Sequence, residues 1–420
     1  MSLLSIETLG SQGEGVAELD GRKVFVPFTL PGERVEADVA GERGALVRIE
    51  TASPDRTTPI CKHFGSCGGC SLQHAAPALY RHFKRDQVIH ALRSRGFTDD
   101  GIVGELVAVP PGTRRRASFA ATRRDDDVIF GYHIGHSHTV IAIDQCPVLR
   151  PAIVATLSKL RELMDVVLAR RATAEVHVTE TREGLDVAVT GAGTGINAAR
   201  RSVLGAWLAG SPGFVRLNVD GEQVAAKLTP TVTFSGHAVT LPPATFLQAV
   251  PEAEAELVRS VYEAVAGLKA KDKVADLFAG LGVFTLPLAA RNEVLAVEWD
   301  RDAVAALATA ARQPGLRKID VLRRDLFREP LSANELKGLA AVVFDPPRAG
   351  AQAQAAALAG SSVPTVIAVS CNAATLARDA RTLVDGGYTL EKVTPVDQFL
   401  YSPHVEAVAV FRRPKARRSA

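Results

Sequence analysis

Apolar and polar positions change rhythm three times along the chain. In the first fifty residues Val24-Phe25-Val26-Pro27 runs apolar, and Arg34-Val35-Glu36-Ala37-Asp38-Val39 alternates with period two, as a half-buried strand does. Leu30-Pro31-Gly32-Glu33 and Asp20-Gly21 supply turns between such strands. Closely spaced short strands predict a small OB-like β-barrel over 1–55, with 51–59 as a linker. From 77 to about 96 the period becomes helical. Leu79, Tyr80, Phe83, Val88, Ala91 and Leu92 share one side, and Arg81, Lys84, Arg85 and Asp86 fall elsewhere.

Residues 103–240 mix strands at 175–178, 185–189, 214–219 and 224–228 with a helix near 151–170. This predicts an α+β central domain over 56–240, whose 77–96 helix is free to pack on the part that follows. From 241 onward the texture alternates. Helices at 251–267, 301–312 and 373–384 separate strands at 273–278, 294–298, 341–344 and 365–369, and a hairpin at 388–412 ends the set. Alternation of this kind builds a Rossmann-like, doubly wound parallel sheet. The fold class is therefore multidomain α/β.

A chain of 420 residues exceeds what one core usually organises, which agrees with three parts. It is 47% hydrophobic and 23% charged, an ordinary globular composition. No apolar run is long enough to span a bilayer, and the first residues lack a secretory signal, so a cytoplasmic protein without a membrane partner is expected. A net charge of +3 does not by itself demand nucleic acid. Clusters at Arg114, Arg115 and Arg116, at Arg123 and Arg124, and in a tail with Arg412, Arg413, Lys415, Arg417 and Arg418 suit either phosphate contact or a solvated surface.

The apolar strand Val274-Ala275-Asp276-Leu277 runs into Phe278-Ala279-Gly280-Leu281-Gly282, a turn that lets backbone approach a ligand. Glu298 ends the next strand, where a carboxylate can accept from both ribose hydroxyls. NAD enzymes and S-adenosylmethionine enzymes share this arrangement. Asp276 beside the turn favours the latter, whose methionine end carries an ammonium. Two later strands end in Asp345-Pro346-Pro347-Arg348 and Ser370-Cys371-Asn372. A lone cysteine is usually a small core residue. At a strand tip, beside a helix N-terminus and Arg348, Cys371 is instead expected to have a lowered pKa and to be a nucleophile. In the last hairpin Glu406 is a candidate base, with His404 on the same strand face. Cys61-x5-Cys67-x2-Cys70, with Cys146 downstream, supplies four thiolates for a [4Fe-4S] cluster or a tetrahedral zinc.

Asp-Leu-Phe-Ala-Gly-x-Gly, Asp-Pro-Pro-Arg, Ser-Cys-Asn and His-Val-Glu, in this order, resemble the RNA uracil-C5 methyltransferase family. Gly13-Glu14-Gly15-Val16-Ala17 and the two motifs around 24–33 resemble the TRAM domain at the front of many members. The resemblance implies addition of Cys371 to uracil C6, methyl transfer from S-adenosylmethionine to C5, and proton removal by Glu406. It further implies cofactor contacts from Gln248, Phe278, Gly280, Glu298, Asp325 and Asp345. Four cysteines mark the iron–sulfur branch, whose known members mostly modify ribosomal RNA, so 23S rRNA is the expected partner and a monomer the expected state. Val283, Ala373 and Leu400-Tyr401-Ser402-Pro403 depart from the commoner Asn, Pro and Pro-His-Thr. A tRNA enzyme, a cytosine methyltransferase and a non-catalytic, redox-sensing iron–sulfur RNA-binding protein are the alternatives. Pure binding would need neither Cys371 nor Glu406.

Overall fold

The computed structural model describes residues 1–414 except His136 and Thr194, so Lys415, Arg417 and Arg418 of the basic tail lie outside the described residues. Six strands between Ser2 and Thr51 form the first sheet, which curls until the first strand meets the third. Val24, Val26, Val35 and Ala37, from the runs that predicted it, close its core.

A second, seven-stranded sheet contains Arg116–Arg124, Asp127–His133, Thr173–Glu180, Leu185–Thr190 and Phe214–Val219. Helices Leu157–Val167 and Ala198–Ala209 pack on it. The helix expected near 151–170 is broken into Pro151–Val154 and Leu157–Val167. At the break the Thr156 hydroxyl bonds back to the Ile153 carbonyl (2.8 Å). The basic clusters of this region are largely absorbed by the fold. Arg115 donates to Glu254 (2.6 Å) and the Gln248 carbonyl (3.1 Å), and Arg123 to the Asp165 carbonyl (2.6 Å); Arg124 stays exposed.

The third sheet comprises β1 (Lys273–Leu277), β2 (Glu293–Glu298), β3 (Ile319–Arg323), β4 (Leu339–Phe344), β5 (Thr365–Ser370), β6 (Thr389–Val396) and β7 (Glu406–Arg412). Their order is β3-β2-β1-β4-β5-β7-β6. Strands β1 to β5 are parallel, and β7 runs antiparallel between β5 and β6. Strands buried on both faces read as continuous apolar runs, which is why β4 and β5 stand out in the sequence. Strand β3 was not expected. It lies at the sheet edge, half exposed, and its Ile-Asp-Val-Leu-Arg carries no such run. Strand order reverses between β1 and β4, and the carboxyl ends there form the natural ligand crevice.

The opposite edge, β6, is covered by residues 103–107, which precede the second sheet in the chain. Gly104 N–H donates to Val393 O, Val107 N–H to Pro395 O, and Asp397 N–H to Val107 O (2.9, 2.9 and 2.8 Å). Ahead of this segment, helix Pro77–Arg93 starts with proline in its first turn and buries Val88, Ile89 and Leu92 against the third sheet. Its Lys84, expected off the apolar face, is fully buried. The ammonium bonds to Asp397 Oδ1 (2.7 Å), to the Phe399 carbonyl (3.0 Å) and to the His404 carbonyl, and Tyr80 OH donates to Asp397 Oδ2 (2.5 Å). No helix among the described residues is long and apolar enough to cross a membrane.

Lys84→Met leaves Asp397 charged and unpaired in the interior and is expected to cost about 3–5 kcal/mol, with Asp397→Leu added to it recovering most of the loss. Denaturant unfolding measures both, and a loss below about 1 kcal/mol for the single variant would mean that the pair carries little.

Candidate active site

The site is assembled at the carboxyl ends of β1, β2, β4 and β5 and the start of β7. After β1 the chain turns sharply through Phe278 (φ 60°), Gly280 (φ 52°) and Gly282 (φ 92°). A Cβ on Gly282 would lie 2.5 Å from Leu307 Cδ1, so a side chain there would have to displace Leu307 as well as adopt a strained φ. Glu298 braces this turn. Its Oε2 accepts the Gly280 N–H (2.9 Å), and Oε1 accepts the N–H groups of Trp299 and Asp300 (both 2.7 Å). Oε2, with one donor, keeps a lone pair for a hydroxyl.

Asp276, expected to face a ligand ammonium, lies beneath the turn and is fully buried. Its Oδ2 accepts from Thr285 Oγ1 (2.5 Å), and its Oδ1 has no partner among the described residues. Burial, then the charges of Asp345 and Glu298, push this carboxyl up to about 7, although the Thr285 bond opposes the shift. Asp276 thus supports the floor of the turn. Asp325 follows β3, accepts the Phe327 N–H (3.0 Å) and lies 3.5 Å from Arg328. The Phe278 and Phe327 rings meet at 5.4 Å, so Phe278, Glu298 and Asp325 lie along one rim.

On the other side of the crevice a chain of side-chain amides links two carboxyls. Gln248 Nε2 donates to Asp345 Oδ2 (3.0 Å). Gln398 Nε2 donates to Gln248 Oε1 (2.7 Å) and to Glu406 Oε2 (3.0 Å). Gln248, Gln398 and Glu406 are all buried. Burial pushes Asp345 up to about 7 against the Gln248 bond. Burial and the nearby Asp345 charge push Glu406 well above the usual carboxylate range, while the Gln398 bond opposes them.

Cys371 is half-buried between β5 and helix Ala373–Asp385. Contrary to the expectation of a lowered pKa, its thiol is pushed up to about 11 by burial and then by the charges of Glu406 and Asp345; Arg348 opposes this only in part. The helix N-terminus contributes little because Asn372 already caps it, accepting the N–H groups of Ala374 (3.0 Å) and Thr375 (3.5 Å). His404 is not on a strand face. It occupies the turn before β7, its Nδ1 3.4 Å from Arg348 Nη2, and burial followed by Arg348 and Lys84 lowers its pKa. In the free protein Cys371 is therefore a thiol near two carboxyls.

Cys61, Cys67, Cys70 and Cys146 are half-buried and line one cavity of about 350 Å³, together with Phe399, Leu400 and His404 of the loop before β7. Burial pushes Cys70 up to about 12, and the other three thiols add to the shift while Gln73 opposes it. Four soft sulfur donors facing one space suit a metal group. Among the described residues, however, no three His, Cys, Asp or Glu side chains are drawn close enough to hold a single metal ion. The cysteine loop is tied to the loop before β7: the N–H groups of Ser71 and Leu72 donate to the Tyr401 carbonyl (2.8 and 3.1 Å). Lys84 and Gln398 carried no role in the sequence reading. Gln398 stands inside the Asp-Gln-Phe segment of the last motif, which was its only signal.

A family profile described as tRNA (Uracil-5-)-methyltransferase matches residues 240–413, and the TRAM domain profile matches 3–40. An RNA methyltransferase of Mesorhizobium japonicum is 46% identical over 99% of this chain and 98% of its own length. A 23S rRNA (uracil(1939)-C(5))-methyltransferase of Halomonas elongata is 33% identical over 99% of this chain and 90% of its own. Among solved structures, the Pyrococcus abyssi tRNA (uracil-54, C5)-methyltransferase in complex with S-adenosyl-L-homocysteine superposes with a TM-score of 0.74. It is 22% identical, covers 98% of this chain and 100% of its own, and so speaks for the fold alone.

Alkylation of Cys371 in the free protein, followed on its peptide by mass spectrometry, is expected to keep accelerating well above the ordinary cysteine range of about 8.5. Glu406→Gln should shift that profile downward, because it removes a negative charge beside the thiolate. A profile centred at or below the ordinary range would contradict this picture of the site.

Proposed function

The chain belongs to the RNA uracil-C5 methyltransferase family, whose reaction uses S-adenosylmethionine, and on that premise we propose that it methylates uracil C5 in 23S rRNA in the cytoplasm. One observation carries the assignment of roles: Cys371 lies near enough to Asp345 and Glu406 for both charges to act on its thiol, and Glu406 is held by an amide chain.

Uracil C5 is too weak a nucleophile to take a methyl group directly. Cys371 Sγ adds to C6, the electron pair moves to C5, and C5 displaces the methyl from the sulfonium. Glu406 then takes the C5 proton, the C5–C6 double bond reforms, and Cys371 leaves as thiolate. The free thiol is protonated at neutral pH, so it must be activated. Positive charge supplied near Asp345 by a bound methyl donor would favour both ionised Asp345 and the Cys371 thiolate. Gln248, Phe278, Gly280, Glu298, Asp325 and Asp345 are proposed to line that donor. Val283 is half-buried and packs into the core, and Ala373 merely opens a helix, so neither departure from the common pattern touches the nucleophile or the base. The target base must leave its stack to reach Cys371, at a cost of roughly a few kcal/mol.

The rRNA preference rests on the likeness to the Halomonas elongata enzyme. Cys61, Cys67, Cys70 and Cys146 are proposed to hold a [4Fe-4S] cluster. Four soft sulfur donors around one cavity support this reading, and a tetrahedral zinc is the alternative. When bound, the cluster supplies a rigid link among these four positions. The proposed divisions are 1–55, 56–240 and 241–420, with residues 77–107 packed on the last part.

With labelled methyl donor and separate rRNA and tRNA transcripts, 5-methyluridine is expected in 23S rRNA by mass spectrometry. Its absence from every RNA tested would end the proposal, and its presence in tRNA alone would move the substrate. Glu406→Gln is expected to accumulate a covalent protein–RNA adduct, and Cys371→Ala to form none. Anaerobically purified protein is expected to show broad visible absorbance with bound iron and sulfide; colourless protein with one zinc per chain would replace the cluster.

A further inference from the structure

Between the two carboxyls of the site lies a residue that touches the base without belonging to the reacting set. Gln398 is buried and makes three hydrogen bonds. Its Oε1 accepts the Ala249 backbone N–H (3.1 Å), and both Nε2 hydrogens are used, toward Gln248 Oε1 (2.7 Å) and Glu406 Oε2 (3.0 Å). The backbone N–H can only donate, so it fixes which end of the Gln398 amide is oxygen. That orientation in turn fixes Gln248, whose own NH₂ must then face Asp345 (3.0 Å). A single main-chain donor therefore sets the polarity of the whole row Ala249–Gln398–Gln248–Asp345, with Glu406 on its branch. The backbone of Gln398 is held as well. The preceding Asp397 is locked by Lys84 and Tyr80, and the Gln398 N–H donates to Val396 O (3.1 Å).

We propose that Gln398 is a positioning residue whose amide keeps Glu406 facing the substrate as a proton acceptor, and so sets the rate of the elimination half of the reaction. The inference rests on the assignment of Glu406 as the base. In that half the C5–H bond breaks and an O–H bond forms on Glu406. The electron pair becomes the C5–C6 double bond, and the C6–S bond opens to return Cys371 thiolate. A donor to Glu406 favours its ionised form. The titratable groups acting on this carboxyl are Asp345, after β4, and Cys371, after β5; Arg348 acts on Cys371. Without the Gln398 donor, burial and Asp345 are unopposed, and Glu406 is protonated to higher pH. Elimination should suffer while addition and methyl transfer, which do not use this proton acceptor, continue.

The test is single-turnover reaction of the full-length protein with rRNA transcript carrying tritium at uridine C5. Adduct on a denaturing gel reads addition, and tritium release reads elimination. Gln398→Met is expected to form adduct at close to the wild-type rate but to release tritium about tenfold more slowly at neutral pH. Recovery as pH rises should show the inflection displaced upward by about one unit. Gln398→Glu retains the volume and an acceptor for Ala249, adds a third carboxyl, and should displace the inflection the same way even if the methionine variant folds poorly. Unchanged tritium-release profiles in both variants, or adduct formation slowed as much as release, would overturn the proposal. Glu406→Gln run alongside separates the two levels. If it traps adduct and the Gln398 variants behave as wild type, only the positioning role falls; if it traps none, the base assignment falls and this proposal with it.

Discussion

Much of the molecule hangs on one buried ion pair. Lys84 and Asp397 are 313 residues apart in sequence and neither side chain is exposed. Removing both charges from water is costly, and the Coulomb term alone does not assure a gain. The structure offsets the cost with ligands on every side: Tyr80 OH on Asp397, and the carbonyls of Phe399 and His404 on the ammonium. Those carbonyls belong to the loop between β6 and β7, which leads directly into Glu406. A helix that precedes the second sheet therefore shapes the loop that carries the candidate base. The third sheet has its helices and glycine turn within its own sequence, but its active loop is finished only when residues 77–107 dock. Those residues also cover the edge of β6, so both contributions come from one segment.

The pocket beyond that loop is organised by unfavourable charge. Asp276, Asp345 and Glu406 are each raised by burial, and each lies near another group that resists ionisation. Cys371 is raised for the same reason. Clustered carboxyls with one thiol form a site short of positive charge, and a cation entering it relieves several penalties together. Such surroundings favour the protonated form of the thiol. Gln248 and Gln398 moderate the effect, giving Asp345 and Glu406 one donor each without adding charge.

The sequence displayed whatever is written in local pattern. Apolar runs marked β1, β4 and β5, the glycine turn marked the crevice, and polar residues at strand ends marked Glu298, Asp345 and Cys371, all of which line it. What it hid depends on partners far along the chain. Lys84 breaks the apolar face of its helix by residue type, and only a carboxylate 313 residues away makes that position interior. Strand β3 lies at an edge, where half-exposure erases the run. The direction of the Cys371 shift was misjudged because Arg348 is visible as a neighbour in a motif, whereas the carboxyls that outweigh it arrive from β4 and β7. Gln398 stood in plain view, but an amide between two charged-looking motifs carries no signal until its three partners are known.

The cysteine loop and the loop before β7 also share more than proximity. Tyr401 sits at φ 61°, a conformation that non-glycine residues adopt at a cost. Its N–H donates to Tyr80 Oη (2.8 Å), and its carbonyl accepts the N–H groups of Ser71 and Leu72. Helix Pro77–Arg93 thus grips the loop from one side and the segment after Cys70 grips it from the other. Phe399, Leu400 and His404 complete the contact by lining the cavity of the four thiols. Any group that sets the spacing of those thiols acts on the segment that holds Tyr401, and through it on the approach to Glu406. The cysteine loop and the loop that leads into Glu406 therefore pack as one unit, and the strained tyrosine sits at their junction.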